Sequence, residues 1–142
     1  MGNKISSITK INFEDMQHAI RNTNWIIINT LELSDQDCII PNTISVNDEV
    51  AILNKLMDTG KFNTQIVIYG LNACDDNIVR KYNQLVRLGF TNVAIYPGGM
   101  FEWMLLQEVY GDEEFSTTKR ELDILRFKGI SKLSQRSIEY KM

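Results

Sequence analysis

The sequence predicts an α/β fold: a single domain on a mostly parallel sheet of about five strands, with helices on both faces. Three observations predict it. Ile66-Val67-Ile68-Tyr69 is a short β-branched run closed by Gly70, the pattern of a buried strand. Ile78, Tyr82, Leu85 and Val86 follow at helical spacing, and Gly89 supplies a stop. Val93-Ala94-Ile95-Tyr96 is a second apolar run, ended by Pro97-Gly98-Gly99. Strand, helix and strand within about thirty residues make a βαβ unit, whose two strands run parallel. Ligands of such sheets sit outside the carboxyl ends of the strands. Here that is the loop of residues 70–77.

The remaining elements follow in chain order. Residues 1–7 read as a short polar arm. Residues 8–11 suit a short edge strand. Asn12 can cap a helix with Glu14 and Asp15 in its first turn, and Phe13, Met16 and Ile20 share one face of it. His18 lies off that stripe and reads as a surface residue. Residues 25–29 form a near-continuous apolar run, expected of a strand buried on both faces. Residues 31–37 are an acidic loop. Ile39-Ile40-Pro41 leads to a further short strand at 43–46. Asn47 or Asp48 then caps a helix whose buried stripe is Val50, Leu53 and Met57. After Gly99, residues 100–110 are a strongly apolar helix. Phe101, Leu105 and Glu108 mark one of its faces, Trp103, Leu106 and Tyr110 another, and Gly111 ends it. Thr118 and Glu121 have capping-box spacing ahead of Leu122, Ile124 and Leu125, which predicts a short helix packed back on the domain. The expected organisation is therefore an arm (1–7), a domain (8–111) and a basic extension (112–142).

Composition narrows the function. A chain of 142 residues can bury a full core. No apolar run approaches the roughly 20 residues of a membrane span. Two cysteines, Cys38 and Cys74, make no disulfide framework, so a reducing, cytoplasmic setting is expected. A single histidine argues against a metal site, and nothing calls for a cofactor. Residues 119–142 carry a net charge of +4 and residues 1–118 one of −7. A basic tail on an acidic body predicts surface binding or intramolecular docking. The acidic body argues against nucleic acid as a partner. Met1 to Ser6 matches the N-myristoylation pattern, with Gly2 the acyl acceptor, which gives the chain a route to weak membrane association. Composition does not speak to oligomeric state.

Several motifs carry a family resemblance. Tyr69-Gly70, the segment LVRLGF at 85–90, the run 93–96 and Gly98-Gly99-Met100-Phe101-Glu102-Trp103 together resemble the rhodanese homology domain. Upstream, CIIPNT at 38–43 keeps only Ile40-Pro41 of the family signature. The segment GGMFEWMLLQEVYG further resembles a branch found in protists and large DNA viruses. The resemblance implies a nucleophilic cysteine after the strand tyrosine, one that accepts sulfur as a persulfide. It also implies a loop whose backbone N–H groups stabilise the thiolate and an anionic substrate.

In this chain Gly70 stands at the nucleophile position, and Asn29 or Thr30 stands where the family has an acidic residue. The loop is longer than in the sulfurtransferases. Phosphatase relatives also enlarge it but keep a cysteine and an arginine; here the next arginine, Arg80, falls inside the helix. Cys74 is the candidate substitute nucleophile, but Asp75 and Asp76 beside it oppose a thiolate and an anionic substrate. One of those carboxylates also suits a helix N-cap. The plain structural role for Cys74, and still more for Cys38, which replaces a family glycine, is a small semi-buried loop residue. The expected function is thus a catalytically inactive rhodanese-like domain that binds or regulates. Its loop of Gly70, Leu71, Asn72, Ala73, Cys74, Asp75, Asp76 and Asn77 would meet a protein or small-molecule ligand. The alternative is a sulfurtransferase or persulfide carrier using Cys74.

Overall fold

The computed structural model describes residues 8–133. The arm with Gly2 lies outside them, as does the tail from residue 134. Among the described residues there are three strands, β1 (Ile26–Asn29), β2 (Ile66–Tyr69) and β3 (Val93–Tyr96). Four helices accompany them: α1 (Phe13–Arg21), α2 (Glu49–Asp58), α3 (Asn77–Arg87) and α4 (Gly99–Tyr110). The strands lie in the order β1-β2-β3, all parallel. Their register aligns Asn29, Tyr69 and Tyr96 at the carboxyl edge, so the loop after Tyr69 leaves from the middle of the sheet.

The two-residue period of β2 divides the core. Val67 and Tyr69 face one cluster with Met16 and Ala19 of α1 and Met100, Trp103 and Met104 of α4. Ile66 and Ile68 face the other, with Leu53 of α2 and Ile78 and Leu85 of α3. Helices therefore cover both faces, as the sequence predicts. Asn12 closes a full capping box with Asp15, and His18 is exposed.

Several expectations are corrected. The two outer strands shrink to single parallel bridges, Lys10 to Ile95 and Thr43 to Ile27. Each segment has too little extended chain to continue. Asn12 starts α1 directly after the first, and Asn42, at φ 67°, turns the chain directly before the second. In α2, Val50 faces solvent at 68% exposure, and Leu56 joins Leu53 and Met57 in the buried stripe. Asp48 occupies the N-cap position of α2, but its side chain makes no capping bond. In α4 the buried face is Met100, Trp103 and Met104, whereas Leu105 and Tyr110 are exposed. Thr118 caps no helix. Its hydroxyl donates to the Asp37 carbonyl and accepts from the Ile39 N–H, which pins the chain to the 37–39 segment instead. A 3-10 turn, Ile124–Phe127, follows.

The segment after Gly111 is part of the core. Phe115 and Phe127 belong to the cluster under α4, with Phe127 fully buried. The Trp103 indole donates to the Ser116 carbonyl at 2.8 Å. Among the described residues no helix is long and apolar enough to cross a membrane, and no group of side chains could hold a metal ion.

Candidate functional site

The loop 70–77 is fixed from three sides. At the start of α4, the N–H groups of Met100 and Phe101 donate to the carbonyls of Gly70 and Leu71, both at 2.9 Å. This approach requires glycine at 99. The residue has φ +64°, and a Cβ there would lie 2.6 Å from the Gly70 oxygen. From the C-terminal side, the Phe127 carbonyl accepts from the Asn72 amide at 3.0 Å. The other atom of that amide, Oδ1, accepts from the Cys74 N–H at 2.9 Å. On the β1 side stands Thr30.

A further anchor is internal. Asp75 turns its carboxylate into the loop. One oxygen accepts from the Leu71 N–H at 3.1 Å and from the Thr30 hydroxyl at 3.4 Å. The other accepts from the Asn77 N–H at 3.0 Å, satisfying a donor at the start of α3. Asp76 occupies the N-cap position without a side-chain bond, so of the two candidate caps Asp75 supplies the hydrogen bond. A Cβ on Gly70 would run into that same carboxylate oxygen. It would also lie 2.8 Å from the Thr30 hydroxyl and 2.9 Å from the Ile78 side chain. The place where residue 70 would project a side chain is filled.

Cys74 is exposed, where a semi-buried residue was expected. Its sulfur lies beside Gly129, 3.4 Å from where a Cβ would stand on that glycine. Cys38 is buried, and its thiol donates to the Lys119 carbonyl at 3.2 Å. Burial pushes that thiol up from its ordinary value, away from nucleophilic use.

Residues 124–132 form a strap across the carboxyl edge. Phe127 anchors it in the core and Arg126 ties it to the acidic loop after β1. The Arg126 guanidinium donates to Asp35 at 2.8 Å, to Glu121 at 2.5 Å and to Asp37 at 3.4 Å. The bond to Asp35, helped by the other two carboxylates, holds its pKa still further above the ordinary arginine value. The described part of the basic segment thus docks on the acidic body, one of the two outcomes its charge predicted. Between strap and loop lies a cavity of about 430 Å³. Thr30, Glu32, Leu71, Asn72, Cys74, Asp75, Asp76, Asn77 and Arg80 line it on the body side, and Lys128, Ile130 and Lys132 on the strap.

The predicted loop residues are therefore brought together, and Gly70 sits buried behind them. Sequence reasoning missed the strap as a wall of the site. The available signal was Phe127, an aromatic residue within a charged segment. Arg80, which the sequence puts inside a helix, also lines the cavity.

The model of the rhodanese-like domain family matches residues 13–106. Solved structures similar to the chain include the Alr3790 protein from Anabaena, at TM-score 0.55 and 14% identity over 93% of this chain and 94% of that one. An uncharacterized protein from Saccharomyces cerevisiae matches at TM-score 0.55 and 21% identity, over 76% and 98%. The Saccharomyces cerevisiae single-domain sulfurtransferase RDL2 matches at 0.51 and 17%, over 75% and 97%. At these identities the likeness is one of fold. No curated protein sequence matches.

Proposed function

We propose that this chain, which belongs to the rhodanese-like domain family, is a non-catalytic member, a module that binds a protein or small-molecule ligand at its loop face. One observation carries the reading. The Asp75 carboxylate occupies the space into which a side chain at position 70 would project, and it takes up the Leu71 N–H. Sulfur transfer by the family's chemistry needs a thiolate there. That thiolate attacks the sulfane sulfur of thiosulfate, sulfite leaves, and a persulfide forms. Cyanide then takes the sulfur as thiocyanate and restores the thiolate. A glycine supplies no nucleophile, and a resident carboxylate repels the anionic donor.

The second reading, a persulfide carrier, rests on the exposure of Cys74 at the cavity. Thiocyanate formation from thiosulfate and cyanide separates the two. The expected result is no turnover above that of a Cys74→Ser variant. Turnover that Cys74→Ser abolishes overturns the non-catalytic reading and makes Cys74 the nucleophile.

The proposal extends to a cytoplasmic module that meets membranes through acylated Gly2. One myristoyl chain binds only marginally, and with Lys119, Arg120 and Arg126 already paired to carboxylates only the remaining basic residues of the C-terminal segment would add a second attraction, so the association is weak and reversible. Intact mass after coexpression with an N-myristoyltransferase tests it. An unmodified Gly2 beside an acylated control peptide removes the lipid from the proposal.

A further inference from the structure

The cavity at the loop face is ringed by six charged side chains, Arg80, Lys128 and Lys132 with Glu32, Asp75 and Asp76. At some places on the described surface opposite charges close on one another. Arg126 pairs with Asp35 and Glu121, Lys81 with Glu49, Lys119 with Asp37 and Arg120 with Asp112. Around the cavity they stay apart. Among the described residues no carboxylate lies within ion-pair distance of Arg80, Lys128 or Lys132. The Arg80 guanidinium reaches only the Asn77 side-chain oxygen, at 2.8 Å. Asp75 is already satisfied by two backbone N–H groups and the Thr30 hydroxyl. That leaves three cations and two carboxylates, Glu32 and Asp76, facing one cavity without charged partners.

We propose that this cavity binds a small dipolar molecule of the class of amino acids and short peptides. Its anionic end lies toward Lys128, Lys132 and Arg80, and its cationic end toward Glu32 and Asp76. The proposal rests on the reading of the loop face as a binding site. Charge decides the class. A purely anionic ligand brings its charge up to Glu32 and Asp76, and a purely cationic one to three cations. A ligand carrying both charges uses both sets. Size agrees, since about 430 Å³ falls within the roughly 300–1,000 Å³ typical of small-molecule sites. Leu71 and Ile130 supply apolar wall for the body of the ligand. Of the three cations, Arg80 shares α3 with Asp76, one turn on, and the other two come from a different segment. The lysines sit on the strap, tied down through the Phe127 carbonyl, whereas Asp76 and Glu32 sit at the start of α3 and after β1.

The test is an amide-shift titration of the full chain by NMR with three peptides that share one body. These are triglycine, its N-acetyl form and its C-terminal amide, each raised to tens of millimolar. Triglycine should give saturable shifts in residues 71–77 and 128–132. The two capped peptides should bind at least tenfold more weakly. The double variant Lys128→Glu with Lys132→Glu should lose the triglycine response while its circular dichroism stays unchanged, and Lys61→Glu should keep it. Equal midpoints for the three peptides, tighter binding of a capped form, or no saturable shift with any of them overturns the proposal. None of these results bears on thiocyanate turnover, which alone removes the non-catalytic reading.

Discussion

Tyr69 and Tyr96 are the most buried titratable groups near the carboxyl edge. The Tyr69 hydroxyl accepts from the Ile40 N–H at 3.1 Å and pairs with the Thr43 hydroxyl at 2.7 Å. Tyr96 donates to Glu102 at 2.5 Å. Burial pushes both phenols well above the ordinary tyrosine value, and for Tyr96 the Glu102 carboxylate adds to it. Above about pH 10 the unfolded chain loses these protons and the folded chain keeps them. Stability present below that pH is therefore lost as pH rises, by up to about 1.4 kcal/mol per pH unit for each phenol. Urea denaturation from pH 8 to 11 should show this decline, and Tyr69→Phe should flatten it. The same variant should cost about 1 kcal/mol at neutral pH, because it leaves the buried Ile40 N–H without its acceptor. Asp75→Ala orphans the Leu71 and Asn77 donors and should cost about 1–3 kcal/mol by the same measurement, more than Asp75→Asn. The two carboxylates of this loop were legible in the sequence as helix-start residues. That one of them turns inward was not, since neighbouring aspartates carry no mark of which way each side chain points.

At the scale of elements, the strap carries the largest expected effect. Phe127→Ala empties a fully buried aromatic site and should cost about 3–5 kcal/mol in urea unfolding. Arg126→Met should cost only about 1 kcal/mol, and less as salt rises, because the guanidinium and its carboxylates keep contact with solvent. Equal costs for the two variants, unmoved by salt, would show that the ion pairs fix the strap as firmly as the core does. The central βαβ unit was legible because its periods are unambiguous: four apolar residues, a helical stripe, four more. The strap was not. Thr118 and Glu121 have the right spacing for a capping box, but tertiary bonds to residues 37–39 and to Arg126 claim both side chains. The exposed side of α4 was misjudged for a related reason. A helix rich in apolar residues all round shows no period by which to choose its buried face.

At the scale of the molecule, the sheet is strong in the middle and thin at its margins. β2 is paired along its whole length on both sides, whereas the outer positions hold by one bridge each. Hydrogen exchange should separate these regions. Amides of β2 should open only with global unfolding, and those of Ile11 and Ile44, bonded to Ile95 and Ile27, by local opening at lower free energy. Uniform protection across all of them would mean that the edges belong to the same cooperative unit. The five strand positions were legible in the sequence, since bridges stand where the outer two were expected. Their length was not, because capping and turn residues next to them decide how far each extends.

The crowding around Gly70 also bears on which mutational paths are open to this chain. In a library selected for sulfur transfer, Gly70→Cys arrives first against Asp75, Thr30 and Ile78 and is penalised for its packing. Asp75 replaced first gives up three hydrogen bonds and gains no nucleophile. Each single step runs downhill in fitness, and only joint changes can cross the valley. Single-substitution rounds should therefore stall at position 70, whereas libraries that vary 30, 70, 75 and 78 together should be the ones that admit a cysteine there.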